Sequence, residues 1–260
     1  MEFIINSPES PIFCHLFNFP IRYYGVFMSL SFLLGIISIY FALKNKYGKN
    51  ESEKFLDYSF YVILISIICA RAFYVIGSID YYINFPKEIL MINHGGLSIY
   101  GAILGGLLSM YIFSKKFEFD FLAHCDILAV VFPLCQSLGR LGNYFNQEAF
   151  GMPSNTFFKL YISEIYRPDN FQNFSYFHPT FLYESILDFC LFVILFKLLT
   201  RMKSGRIFLL YLISYSLIRL FVEFYRIDAS VYLFGLSFPQ VVSIGIIVLS
   251  LLVWLVYQRR

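Results

Sequence analysis

Tyr211, Tyr215, Arg219 and Glu223 recur at four-residue intervals in the apolar run YLISYSLIRLFVEFYR. On a helix that spacing makes one slowly drifting stripe, and Arg226 stays near the same face. An arginine placed there can do two things. It can pair with Glu223 and fix helix packing, or it can face a cavity, partly neutralised, and take an anion. Arginine suits a phosphate group, because its planar fork donates two parallel hydrogen bonds. A second concentration of polar groups is GRLGNYFNQEAFG, from Gly139 to Gly151. It packs Arg140, Asn143, Asn146, Gln147 and Glu148 into nine residues. One cation, one anion and several neutral donors and acceptors together suit a phosphodiester or polyol headgroup. An ordinary polar loop is the plainer reading of the same composition. Arg71 in CARAFYV and Tyr24 in RYYGVFMSL complete the set.

The elements that must position these residues follow from composition. Of 260 residues, 58% are apolar, 21% aromatic and 14% charged. A soluble globular chain carries about 25% charge. Disorder, a fibrous repeat and a nucleic-acid-binding domain are excluded, and a net charge of +3 is too small to imply a polyanion partner. An all-α integral membrane protein remains. A bilayer core of about 30 Å needs roughly 20 apolar residues in helix. Seven stretches qualify, near 21–43, 55–78, 95–113, 119–138, 180–198, 206–225 and 238–257. The fourth is the weakest, because it contains His124, Asp126 and Pro133. None shows the alternation of barrel strands.

Basic residues set the expected orientation. Lys44, Lys46, Lys49, Lys54, Lys115, Lys116, Lys197, Arg201, Lys203, Arg206, Arg259 and Arg260 all fall in alternate connections or the tail, and they are 12 of the 20 basic residues. The positive-inside rule places them in the cytoplasm, with the N-terminus outside and the C-terminus inside. The start of the chain carries Glu2, Glu9 and two prolines and no Lys or Arg before its apolar stretch, so no cleavable signal peptide is expected. The long segment near 139–179 then lies outside, and its aromatic, Asn- and Pro-rich part, 144–178, reads as a small periplasmic head inserted in one polytopic domain covering 1–260. This topology brings Tyr24, Arg71, Arg140, Asn143, Tyr215, Arg219 and Glu223 toward the outer leaflet. Charge at membrane depth is costly, so that convergence points to one polar site.

Other signals are plainer. Gly101 and Gly105 form a small-xxx-small pair suited to close helix packing. Gly95 and Gly96 precede the apolar run, where irregular backbone can approach a ligand or a neighbouring helix. The five cysteines, Cys14, Cys69, Cys125, Cys135 and Cys190, contain no CxxC pair and read as small apolar side chains. His15, His94, His124 and His178 are scattered, with no metal-ligand spacing. On residues alone, three functions stay open: a membrane enzyme acting on a phospholipid, a transporter with an anion site, and a lipid-binding module without chemistry.

GRLGNYFNQEAFG closely resembles the signature of the prolipoprotein diacylglyceryl transferases, bacterial inner-membrane enzymes. Gly139, Arg140, Gly142, Asn143, Asn146, Glu148 and Gly151 match, and Tyr144 replaces the usual Phe. RYYGVFMSL with Tyr24, RAFYV at Arg71, HPTFLYE from His178 to Glu184, and the Tyr215, Arg219, Glu223 series resemble further family motifs in the same order. The resemblance implies seven spans with an outward N-terminus. It also implies transfer of the diacylglyceryl group of phosphatidylglycerol to the thiol of a preprolipoprotein's lipobox cysteine. A thioether forms and glycerol 1-phosphate leaves. By the same resemblance Arg140, Arg219, Glu148, Glu223 and Tyr100 are the catalytic candidates. Arg140, Asn143, Gly151, Tyr24, Tyr215 and His178 are those for binding phosphatidylglycerol. Many members carry histidine where this chain has Tyr100, so the proton acceptor stays open among Glu148, Glu223 and Tyr100. The expected partners are phosphatidylglycerol, the preprolipoprotein signal peptide and the bilayer. The chain is expected to act as a monomer with no metal or organic cofactor, its active site toward the outer leaflet.

Overall fold

The structure, a computed structural model, describes residues 3–17, 19–92, 95–227, 232–233 and 235–258, with side chains as far as 256. Glu2, His94, Arg259 and Arg260 lie outside the described residues. Seven long helices account for most of the chain. They are α1 (Tyr23–Tyr47), α2 (Lys49–Gly77), α4 (Ile99–Phe117), α5 (Phe121–Asn146), α6 (Thr180–Leu198), α7 (Arg206–Glu223) and α8 (Phe238–Gln258), with a short α3 (Ile79–Asn84) after α2. Each of the seven predicted stretches falls on one long helix. Four segments are long and apolar enough to cross a membrane by length and composition: Tyr23–Tyr47, Lys49–Gly77, Phe121–Asn146 and Phe238–Val256. The other three have 18 or 19 residues. They are more polar as well as short: α4 ends in Lys115 and Lys116, α6 contains Glu184, Asp188 and Lys197, and α7 contains Arg206, Arg219 and Glu223.

The chain divides into two compact units, one of Met1–Ala42 with Cys125–Arg260 and one of Leu43–His124. In the first, α1 lies close against α5. A Cβ on Gly35 would come 2.8 Å from the Cys135 sulfur, and one on Gly142 would come 2.9 Å from the Tyr24 ring. Tyr23 stacks on Phe145 with centroids 4.1 Å apart. The three residues that weaken α5 as a span do not break it. Pro133 sits inside a continuous helix. Asp126 accepts from the backbone N–H groups of Gly205 and Phe208, both at 2.8 Å, and so caps the start of α7. His124 turns its Nδ1 to the Asp120 carbonyl. On α8, Leu249, Leu252, Leu255 and Val256 are exposed, an apolar face suited to lipid.

Two expectations need correction. The signature segment does not follow its helix. α5 continues to Asn146, so Arg140, Gly142, Asn143 and Asn146 are helical, and the chain leaves the helix at Gln147 with φ 50°. The all-α expectation also omits several short strands, although the chain is mostly helical. Strand β1 (Phe3–Ile5) from the N-terminal segment pairs in parallel with β4 (Phe158–Tyr161), and β4 pairs antiparallel with β5 (Tyr176–Phe177). Phe150, Leu160, Ile162, Phe177 and Phe181 pack into a small core beneath this sheet, joined by Ile5 of β1. Full burial of one such side chain stabilises by about 1.5–3 kcal/mol. Two hairpins, β2 (Ile12–Leu16) with β3 (Phe19–Arg22) and β6 (Tyr232–Leu233) with β7 (Leu236–Ser237), complete the unit.

In the second unit α2 packs on α4 at their glycines. A Cβ on Gly101 would lie 2.5 Å from the Cys69 carbonyl, and one on Gly105 would lie 2.5 Å from the Cys69 Cβ. Small residues are what let two backbones approach so closely. Arg71, buried in α2, directs its guanidinium at backbone. Nε donates to Ile89 O at 2.9 Å, Nη1 to Gly95 O and Gly96 O at 2.7 and 2.8 Å, and Nη2 to Glu88 O and Met91 O. Gly95 and Gly96 adopt φ of 84° and 75°, which turns both carbonyls toward it. Arg71 is therefore the organiser of its own connecting loop.

Candidate active site

Glu184 stands in the second turn of α6 and is fully buried. A lone carboxylate there would be costly, and three arginines converge on it. Arg140 of α5 places Nη2 2.7 Å from Oε1, and Arg219 of α7 places Nη1 3.3 Å from Oε2. Arg226, just past α7, comes to 4.0 Å from Oε2. Tyr215, one turn before Arg219, donates its hydroxyl to Oε1 at 3.4 Å. Arg219 also reaches Glu223 through Nη2 at 2.9 Å, while Ser237 donates to the other Glu223 oxygen at 2.9 Å. The stripe thus pairs within α7, as the packing reading expects, and Arg219 also reaches Glu184 of a neighbouring helix. Tyr211 extends it by donating to Gln136 of α5 at 3.2 Å.

The cluster thus gathers three arginines around two buried glutamates. Among the described residues, hydrogen bonds account for one terminal nitrogen of Arg140; its others remain for a ligand. One turn farther along α6, Asp188 is buried, and neither of its carboxyl oxygens has a hydrogen-bond partner among the described residues. Neither Glu184 nor Asp188 is among the residues expected from sequence. The signal for Glu184 was the last letter of HPTFLYE. Its arginine partners are 44 and 35 positions away, so only the tertiary structure reveals the pairings.

The end of α5 forms a second group. Asn143 and Asn146 donate to the same Glu148 oxygen, at 2.8 and 3.0 Å. Asn143 follows Arg140 by three positions, which puts both on one helix face. Gln147 holds this turn in place. Its amide nitrogen donates to Pro8 O at 3.2 Å, and its oxygen accepts from Ser163 N–H at 2.9 Å. Gly151 sits where three strands of chain meet. It donates its N–H to His178 O at 2.8 Å, forms a bridge with Arg226, and leaves no room for a Cβ, which would lie 2.5 Å from Tyr225 O. His178 packs its ring against Tyr225, and partial burial holds its pKa below the usual histidine value. Tyr24 meets Gly142.

Arg140, Arg219, Tyr215 and Glu223 are therefore brought together, and so are Asn143 with Glu148 and Gly151 with His178. Tyr100 belongs to the other unit, exposed in the first turn of α4. Among the described residues no group of three or more His, Cys, Asp or Glu could hold a metal. Chemically, the arginine cluster offers fixed donors to an anion, and Glu148 offers a carboxylate oriented by two amides.

Known proteins share this arrangement of sequence. Residues 11–256 match the family described as prolipoprotein diacylglyceryl transferase. The chain is 38% identical to the phosphatidylglycerol–prolipoprotein diacylglyceryl transferase of Trichormus variabilis, over 100% of this chain and 94% of that protein. The identically named protein of Thermotoga maritima is 38% identical over 90% of this chain and 80% of its own length. That of Halalkalibacterium halodurans is 37% identical over 100% of this chain and 89% of its own.

Proposed function

The chain belongs to the prolipoprotein diacylglyceryl transferase family, and from that premise we propose that the cluster around Glu184 grips the phosphate of phosphatidylglycerol while a prolipoprotein thiol displaces it. The protein is a transferase, and it moves the diacylglyceryl group from phosphatidylglycerol to prolipoprotein. At the reacting centre the cysteine sulfur forms a bond to the glyceryl carbon that bears the phosphate ester. The carbon–oxygen bond breaks, and glycerol 1-phosphate departs with the bonding electrons. Charge grows on the departing oxygen, and donors fixed in place for it contribute about 3–4 kcal/mol each.

Arg140 and Arg219 supply those donors. The observation that carries this reading is that one buried carboxylate, Glu184, binds both guanidiniums and sets their spacing. Tyr215 and Arg226 complete the grip, and Asn143 stands one turn from Arg140 to meet the headgroup. Gly151 and His178 bring the Arg226 segment to the site, and Tyr24 closes the α1 side against Gly142. The thiol proton passes to Glu148. Glu223 is buried, with one oxygen accepting from Ser237 and the other ion-paired with Arg219, whereas Glu148 is exposed and oriented by Asn143 and Asn146. A free thiol has a pKa near 8.5, so a carboxylate base beside this positive cluster suffices. Tyr100→Phe, tested in the same assay, is expected to lower turnover only in part.

The same reading extends to topology. The seven long helices cross the inner membrane with the N-terminus outside, the C-terminus inside, and 144–178 as a periplasmic head joined by β1. The protein acts as a monomer, and its site faces the outer leaflet. The test is to incubate the purified protein with phosphatidylglycerol and a lipobox peptide and weigh the peptide by mass spectrometry. Gain of one diacylglyceryl mass with equimolar glycerol phosphate is expected. An unmodified peptide beside intact lipid would overturn the reading.

A further inference from the structure

A cleft of about 510 Å³ opens in the first unit, among the N-terminal segment, the turn after α5 and the loop around Tyr166. Neither Arg140 nor Arg219 lines it. Its walls include Pro11, Arg22, Phe150, Tyr166 and Pro168, and its floor is Asn146 to Glu148. We infer that this cleft docks the polypeptide substrate, taking in extended form the residues just after the reacting cysteine. The inference rests on the transferase reading and assigns a place to its second substrate.

The lining chemistry favours polypeptide over phosphate. Among the described residues, Arg22 is the one cation lining the cleft, and Glu148 lines the same space, so an anionic headgroup meets no excess of positive charge there. Two prolines and two aromatic rings offer flat apolar contact to side chains, and one charge of each sign serves a chain of mixed composition. The volume lies within the ~300–1,000 Å³ usual for specific binding sites.

Continuity with the reacting centre sets the register. Asn146 and Glu148 line the cleft and also belong to the Asn143–Glu148 group beside Arg140. Six residues of α5 separate Arg140 from Asn146, an axial rise of about 9 Å at ~1.5 Å each. An extended chain covers that in about three residues at ~3.3 Å each. With the cysteine thiol between Arg140 and the Glu148 carboxylate, which Asn143 draws back to within one turn of Arg140, the second to fourth residues after it reach the cleft. The site is also built in advance. Gln147 bonds the floor to Pro8 and Ser163 at once, which ties three segments together and lowers the ordering cost of binding.

Two measurements on the full-length protein in lipid nanodiscs test this. In steady-state kinetics with both substrates, Arg22→Glu and Tyr166→Ala should each raise the peptide KM about tenfold. The lipid KM and kcat should stay near wild type. Separately, a lipobox peptide with benzoylphenylalanine at the third position after cysteine should photolabel the 146–150 segment or the neighbourhood of Tyr166. The same probe placed before the cysteine should not. An unchanged peptide KM in both variants with labelling elsewhere overturns the docking site. So does a rise confined to the lipid KM, which would make the cleft a phosphate site. Labelling needs no turnover, so an inactive wild type would defeat the transferase reading while the cross-link still judges the cleft.

Discussion

Arg140 and Arg219 come from helices far apart in the chain, yet they hold opposite oxygens of the same carboxylate, at 2.7 Å and 3.3 Å from Glu184. Neither arginine can move without loosening the other. That linkage makes the site a rigid pair of donors, the form required for stabilising charge that develops during a reaction.

The first prediction concerns Glu184. Glu184→Ala leaves Arg140 without its partner carboxylate and Arg219 with Glu223 alone. It should cost about 3–5 kcal/mol of stability, the usual result of removing one partner of a buried pair. Glu184→Gln keeps the shape and one acceptor, so it should fold better but lose most activity. Thermal unfolding in detergent and turnover per folded molecule separate the two effects.

Gly151 should not tolerate even one added methyl. A Cβ there would lie 2.5 Å from Tyr225 O and 2.7 Å from Thr180 Cγ2, and both belong to firmly bonded segments. Gly151→Ala should destabilise by about 1–3 kcal/mol and reduce activity by displacing Arg226. Gly25, in α1, has nothing within 4 Å of its would-be Cβ. Gly25→Ala should be neutral or stabilising by up to ~1 kcal/mol through helix propensity. Comparing the two melting curves checks the contrast.

Much of this site was legible because it is written in helical spacing. The four-residue interval of Tyr211, Tyr215, Arg219 and Glu223 needs only the geometry of one helix, and in the structure Tyr211 stacks on Tyr215, Tyr215 and Arg219 share Glu184, and Arg219 pairs with Glu223. Glu184 was not legible as a centre, since a single acid near the start of an apolar run looks like an interface residue. The extent of α5 was misjudged for a related reason. Hydropathy drops at Arg140 and Asn143, but backbone hydrogen bonding continues until Gln147 takes a left-handed conformation. The β1–β4 pairing joins Phe3 to Phe158, far apart in the chain, and no local pattern encodes such a partner. Sequence alone groups Arg71 with the polar site, and its five carbonyl contacts are visible only once the following loop is folded.

Arg71 yields a prediction separate from chemistry. Arg71→Ala strands several carbonyls of the 88–96 loop at once and should cost about 3 kcal/mol or more. Arg71→Lys should rescue it poorly, because an ammonium cannot match the fork that binds both sides of the loop. Hydrogen exchange should show faster opening of residues 86–98 in both variants.

The enzyme's own thiols should be dispensable, because the reacting sulfur belongs to the substrate. Cys14 and Cys190 are exposed, and Cys135 donates to Ser31 O at 3.3 Å within the α1–α5 contact. A variant with all five cysteines changed to alanine or serine should keep activity within a few-fold. Abolished transfer by a folded cysteine-free protein would point to a covalent enzyme intermediate.

The most direct test of the central claim is transfer by Arg140→Ala and Arg219→Ala, each purified, shown to be folded, and supplied with phosphatidylglycerol and a lipobox peptide. Each variant should lose ~10²–10³-fold in rate, seen as missing diacylglyceryl mass on the peptide and missing glycerol phosphate in solution. Wild-type rates from both would contradict the assignment of these two guanidiniums to the departing phosphate.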